Sequence, residues 1–121
     1  MVYTIENDKI QVQISDLGAE LQSIVLKKDG TEYLWQGDKT YWGGRAYNLF
    51  PICGRLTEGK YTYQGKTYEM NLHGFARKTV YEMEEQTKES IVFHLKADEK
   101  TMQMYPFSFD LRLTYTLRRC V

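Results

Sequence analysis

Apolar residues recur at every second position along most of the chain, the period of strands half-buried on one face. Tyr3 and Ile5 lead to Asn7-Asp8, and Ile10, Val12 and Ile14 follow. A two-residue turn at Asn7-Asp8 would pair Ile5 with Ile10 and Tyr3 with Val12, keeping the apolar side chains together. Asp16-Leu17-Gly18 breaks the run. A third strand is predicted over Glu20 to Lys27, with a turn at Lys28-Asp29-Gly30 and a return through Glu32-Tyr33-Leu34-Trp35. Gln64-Gly65 marks a hairpin that sets Tyr61 opposite Tyr68. Lys78 to Glu85 and Glu89 to Lys96 form a further hairpin around Gln86-Thr87-Lys88. Its apolar face collects Tyr81, Met83, Ile91, Phe93 and Leu95; Glu82, Glu84, His94 and Lys96 lie opposite. The cleanest alternation is the last, with Phe107, Phe109, Leu111, Leu113, Tyr115 and Leu117 on one side.

Helical spacing is absent apart from one turn at Asp98 to Gln103, ahead of Pro106. The pattern predicts an all-β protein, an antiparallel β-sandwich or part of one. Between Gln36 and Gly59 the alternation stops. Five glycines, Pro51 and the exposed-looking Tyr41 and Trp42 mark a long loop. Loops of that length in small domains are functional or disordered, and the aromatic content favours order.

Composition narrows the partners. Sixteen cationic residues balance sixteen anionic ones, so no basic excess draws nucleic acid or an anionic membrane. No apolar run approaches a membrane span and the first residues do not read as a signal peptide. Cys53 and Cys120 lack metal-ligand spacing; two reduced thiols fit better than one disulfide, and the expected location is cytoplasmic. At 121 residues the chain is about one domain's worth.

Candidate chemistry concentrates between Phe50 and Arg77, where two glycine-punctuated loops flank one hairpin. Arg55 offers a rigid fork of donors suited to sugar hydroxyls, carboxylates or phosphates, or else braces the loop. His73 can donate to a ligand oxygen or transfer a proton, unless it is a turn histidine satisfied by backbone. Arg77 supports a ligand anion or pairs with Glu69. Trp42, Tyr41, Trp35 and Phe75 can stack on a sugar face; the alternative for each is ordinary core or loop packing, which is the favoured reading for Trp35. Cys53 reads as a small buried hydrophobe, and His94 as solvated or paired with a glutamate.

These motifs, in this order, resemble the aldose 1-epimerase (galactose mutarotase) superfamily. Arg55-Leu56 precedes Gly59-Lys60-Tyr61 and Gly65-Lys66-Thr67-Tyr68, which lead to His73-Gly74-Phe75. The stretch Asp16-Leu17-Gly18-Ala19-Glu20-Leu21-Gln22-Ser23-Ile24 is similar to the family's opening strand, and Tyr105-Pro106-Phe107 to the entry of a later one. The resemblance implies a large antiparallel sandwich that binds an aldose in an open cleft. It also implies ring opening by a glutamate base and a histidine acid, without metal or organic cofactor. Arg55 and His73 match its sugar-binding positions; Arg77, Phe75 and Trp42 are added as further substrate-binding candidates.

The family's acid and base lie in the later part of longer chains, and neither has a counterpart here. His94 is too early and in the wrong motif. The expectation is therefore a single β-rich unit over residues 1–121, or an amino-terminal portion, that binds sugar but lacks the catalytic pair. A carbohydrate-binding sandwich without chemistry is the alternative. Which sugar binds, and whether it is phosphorylated, is left open. A third reading, structural, follows from the last strand: its Phe107–Leu117 edge and apolar face can pair with a second copy, giving a strand-mediated or swapped homodimer.

Overall fold

A computed structural model describes residues 1–119 of the chain. Among these residues, nine strands, one short α-helix and two 3₁₀ turns form an antiparallel β-sandwich. β1 (Val2–Glu6), β2 (Ile10–Ser15), β3 (Glu20–Leu26) and β4 (Thr31–Glu32) make a four-stranded sheet in sequence order. β5 (Lys60–Tyr63) and β6 (Lys66–Glu69) form a separate hairpin. β7 (Glu82–Gln86), β8 (Ser90–Lys96) and β9 (Asp110–Thr116) make a three-stranded sheet, with α1 (Glu99–Met104) between β8 and β9.

The first turn differs from the expected one. The Asn7 side chain accepts the N–H groups of Lys9 and Ile10, each at 2.9 Å, and the Asn7 amide donates to the Ile10 carbonyl. The turn residues are thus Asp8 and Lys9, Ile5 faces Val12, and Tyr3 faces Ile14. A shift of two positions preserves the face, which is why the alternation could not detect it. β4 is also shorter than expected. The Glu32 carboxylate accepts the Ile24 N–H (3.0 Å) and the Ser23 hydroxyl (2.7 Å), taking the place of a main-chain acceptor. β7 starts only at Glu82, because a 3₁₀ turn over Ala76–Lys78 precedes it. β9 starts at Asp110, after the Tyr105–Phe107 stretch has left the helix.

The two larger sheets bury Ile5 and Ile14 from one side and Ile91 and Phe93 from the other. Burial of each such side chain stabilises by about 1.5–3 kcal/mol. Tyr3 meets Phe93 edge to face at 5.7 Å. The sheets are also sewn together by backbone: Gly18 donates to Thr79, and Tyr81 to Asp16, both at 2.8 Å.

α1 is held by a capping box, in which the Asp98 carboxylate accepts the Thr101 amide and the Thr101 hydroxyl accepts the Asp98 amide. Tyr61 donates to the carbonyl ending that helix, which docks the β5–β6 hairpin. Of the two readings of His94, solvated or paired with a glutamate, the structure removes the first: the ring is 6 % exposed. It lies 3.9 Å from Glu84 and is also bonded to Asp110, while Arg112 bridges Glu84 and Asp110. Cross-strand carboxylates and the Arg112 arm cover a face that alternation alone assigned to water. Among the described residues, no helix is long and apolar enough to cross a membrane.

Candidate functional site

Residues 50–55 run beside residues 73–77, and the two segments are welded by main chain. Phe50 forms a parallel bridge with Gly74, and its carbonyl accepts from the amides of Phe75 (3.1 Å) and Ala76 (3.2 Å). Gly74 permits this approach. It sits at φ +75°, and a Cβ there would lie 2.3 Å from the Phe50 oxygen.

His73 occupies the left-handed region at φ 63°, a costly conformation for a residue with a side chain. Two bonds to Gly54 hold it there. The His73 amide donates to the Gly54 carbonyl at 2.8 Å, and the Gly54 amide donates to His73 Nδ1 at 2.8 Å. Because Nδ1 accepts a hydrogen bond, the neutral ring carries its proton on Nε2. The imidazole, half-buried, is thereby set up as a donor through Nε2.

Arg55 follows Gly54 directly, so the same two bonds fix where its backbone leaves the loop. Its side chain is exposed and makes no hydrogen bond among the described residues. Leu56, next along, packs against the core and anchors the far side.

Arg77 lies on the 3₁₀ turn, away from Glu69, which instead faces Lys60 at 3.8 Å. Its guanidinium stacks over Tyr47 at 5.1 Å, and its Nε is buried without a partner. Trp42 meets the same tyrosine edge to face at 5.8 Å and is half exposed. Phe75 is placed below the surface, 8 % exposed, against Phe50 and Phe109. The structure thus sets the Arg55 backbone next to His73 through Gly54, and puts Trp42 and Arg77 on one tyrosine, Tyr47, while Phe75 is packed inside.

Trp35 packs within the loop: it is 42 % exposed, its indole N–H donates to the Trp42 carbonyl, and Tyr41 stands at its edge. One further reading is corrected. Cys53 is an exposed free thiol on the loop, where the cis Phe50–Pro51 bond and Gly54 turn the chain at the surface. Cys120, the other thiol, lies outside the described residues.

Asn48 and Tyr115 were not legible as site residues. Asn48 donates to the Gly18 and Ala19 carbonyls and to the Tyr115 hydroxyl, and Tyr115 donates to Ala19 at 2.7 Å. Gly18 and Ala19 are both left-handed, at φ 71° and 49°, so these bonds stabilise a strained corner. A Cβ on Gly18 would meet the Arg77 carbonyl at 2.7 Å, so this corner seats the arginine turn. A polar asparagine ahead of Leu49-Phe50-Pro51 was the one available cue.

A sequence model of aldose 1-epimerases matches residues 1–120. The chain belongs to the aldose 1-epimerase family. It is 39% identical over 122 residues to protein LacX of Lactococcus lactis subsp. lactis, covering 97% of this chain and 40% of that one. Its fold matches a galactose mutarotase related enzyme from Lactobacillus acidophilus (TM-score 0.95, 51% identity, 98% of this chain and 39% of that one). A galactose mutarotase-like protein from Lactobacillus casei matches with TM-score 0.94 and 39% identity, over 98% of this chain and 40% of its own length. The chain therefore spans about two fifths of the length of these family members.

Proposed function

We propose that residues 50–77 form the sugar-holding wall of an aldose 1-epimerase-type site. The ligand is an aldose. His73 donates its Nε2–H to a ring or hydroxyl oxygen, Arg55 clamps neighbouring hydroxyls, and Arg77 with Trp42 borders the ring. The observation that carries this is the paired bond between His73 and Gly54. It holds a strained residue, fixes its tautomer and sets the Arg55 backbone beside it. Strain held in place by specific bonds is characteristic of ligand sites.

The interconversion of anomers needs a base at the anomeric hydroxyl and an acid at the ring oxygen. Of the two histidines, His73 has its Nδ1 held by the Gly54 amide and is assigned to ligand binding through Nε2, and His94 is buried and bonded to Asp110 on the β7–β9 sheet. That observation favours a binding role for this segment, with the proton-transferring pair supplied from outside it. Calorimetric titration with glucose and galactose tests the wall, and Arg55→Ala and His73→Ala should each weaken binding about tenfold. Unchanged affinity in both variants would sink the assignment. Polarimetry tests the second part: this chain should not accelerate anomer interconversion over buffer, and robust turnover would refute it.

A further inference from the structure

The loop from Tyr33 to Tyr47 carries five aromatic side chains, and all are exposed: Tyr33 65%, Trp35 42%, Tyr41 79%, Trp42 52% and Tyr47 37%. An aromatic surface of this extent normally signals a partner. The loop beneath it is well fastened. Asp38 caps a turn through Thr40, Tyr41 and Trp42 amides, Gly37 packs on the Gly43 carbonyl, and Arg45 donates to the Gln22 carbonyl at 2.6 Å. The Trp35 indole donates to the Trp42 carbonyl at 2.8 Å, and Tyr41 stands edge to face with Trp35 at 6.3 Å. The loop and the Trp35 indole are therefore held in place while the ring faces remain open to solvent. The patch is also continuous with the sugar wall, through Trp42, Tyr47 and Arg77.

We propose that Trp35 and Tyr41 form a stacking platform for a second sugar ring, so that the preferred ligand is a saccharide of at least two rings. The proposal rests on the preceding reading that the 50–77 wall holds the first ring. Rigid aromatic faces bury the apolar side of a pyranose while its hydroxyls stay in water, which suits an open surface better than a charged ligand would. Trp42 stands at the junction, facing the first ring.

The chain has only two tryptophans, and both lie here. Trp42→Phe leaves Trp35 as the sole indole reporter, and Trp35→Phe leaves Trp42. In fluorescence titrations with glucose, maltose and cellobiose, Trp35 should respond to one or both disaccharides and not to glucose. Trp42 should respond to all the sugars that bind. At least one disaccharide should bind about tenfold more tightly than glucose. Tyr41→Ala, at an exposed position, should remove that advantage and leave glucose affinity unchanged. A silent Trp35 with both disaccharides, or equal affinity for one and two rings, overturns the platform even where Arg55 still governs glucose binding. Conversely, glucose binding that ignores Arg55→Ala and His73→Ala defeats the wall, while Trp35 still reports on the second ring. A dimer in light scattering that Tyr41→Ala dissociates would show the patch to be a protein contact and would also overturn the proposal.

Discussion

The hydroxyls of Tyr81 and Tyr115 enter the interior on opposite terms. Tyr115 donates to Ala19 and accepts from Asn48, whereas the Tyr81 hydroxyl is buried with no partner. A satisfied buried hydroxyl stabilises by about 1 kcal/mol, while an unsatisfied one costs its desolvation. Tyr115→Phe should therefore lower stability by about 1–2 kcal/mol, and Tyr81→Phe should be neutral or stabilising. Urea unfolding checks both, and equal losses would reveal a partner for Tyr81. Burial pushes the Tyr81 phenol up to about 12, and Tyr115 moves up as well, chiefly by burial. Between pH 10 and 12 the unfolded chain has lost the Tyr81 proton and the folded one keeps it. Stability should thus be insensitive to Tyr81 below about pH 10 and fall as pH rises towards 12, less steeply in Tyr81→Phe. Neither tyrosine could be singled out from sequence, since both sit on apolar faces where a hydroxyl leaves no trace in the alternation.

At the scale of elements, strands were legible and their joints were not. Alternation marks faces, so it found β1 to β3, β5, β6 and β8 closely. It could not see a side chain replacing main chain, which is how Asn7 moved the first turn and Glu32 curtailed β4. The candidate site was read from sequence as a pair of loops, with Arg55 and His73 singled out by position and motif. What tied them was invisible, because the bonds run through Gly54, Phe50 and Gly74. Gly74 offers the sharpest test of that joint. Gly74→Ala combines left-handed strain with a Cβ 2.3 Å from the Phe50 oxygen. Gly65, at φ +76° with open space around it, isolates the strain alone. Gly65→Ala should cost about 1–2 kcal/mol and leave sugar affinity intact. Gly74→Ala should cost more than about 2 kcal/mol and abolish sugar binding. Equal costs in urea unfolding, with binding retained, would show that the two loops are not welded at this point.

For the whole molecule, the unresolved business is an edge. β9 pairs with β8 on one side only, and among the described residues no strand lies along the other. Its apolar residues Leu111, Leu113, Tyr115 and Leu117 are only half-buried, in contrast with Ile91 and Phe93 on the neighbouring strand. The Leu117 amide donates to Glu89, and the Phe109 carbonyl accepts from Ala97, so odd-numbered residues direct their backbone groups at β8. Antiparallel pairing then turns the amides of Arg112, Thr114 and Thr116 outward. A second copy of the chain related by a two-fold axis can satisfy that row, each edge pairing with its own image. The expected outcome is a mass that rises from monomer towards dimer with concentration in light scattering. Thr114→Pro deletes an outward amide without touching the β8 ladder, and should hold the chain at the monomer mass. A wild-type chain that stays monomeric across the same range would rule this pairing out and leave the β9 edge without a role in self-association.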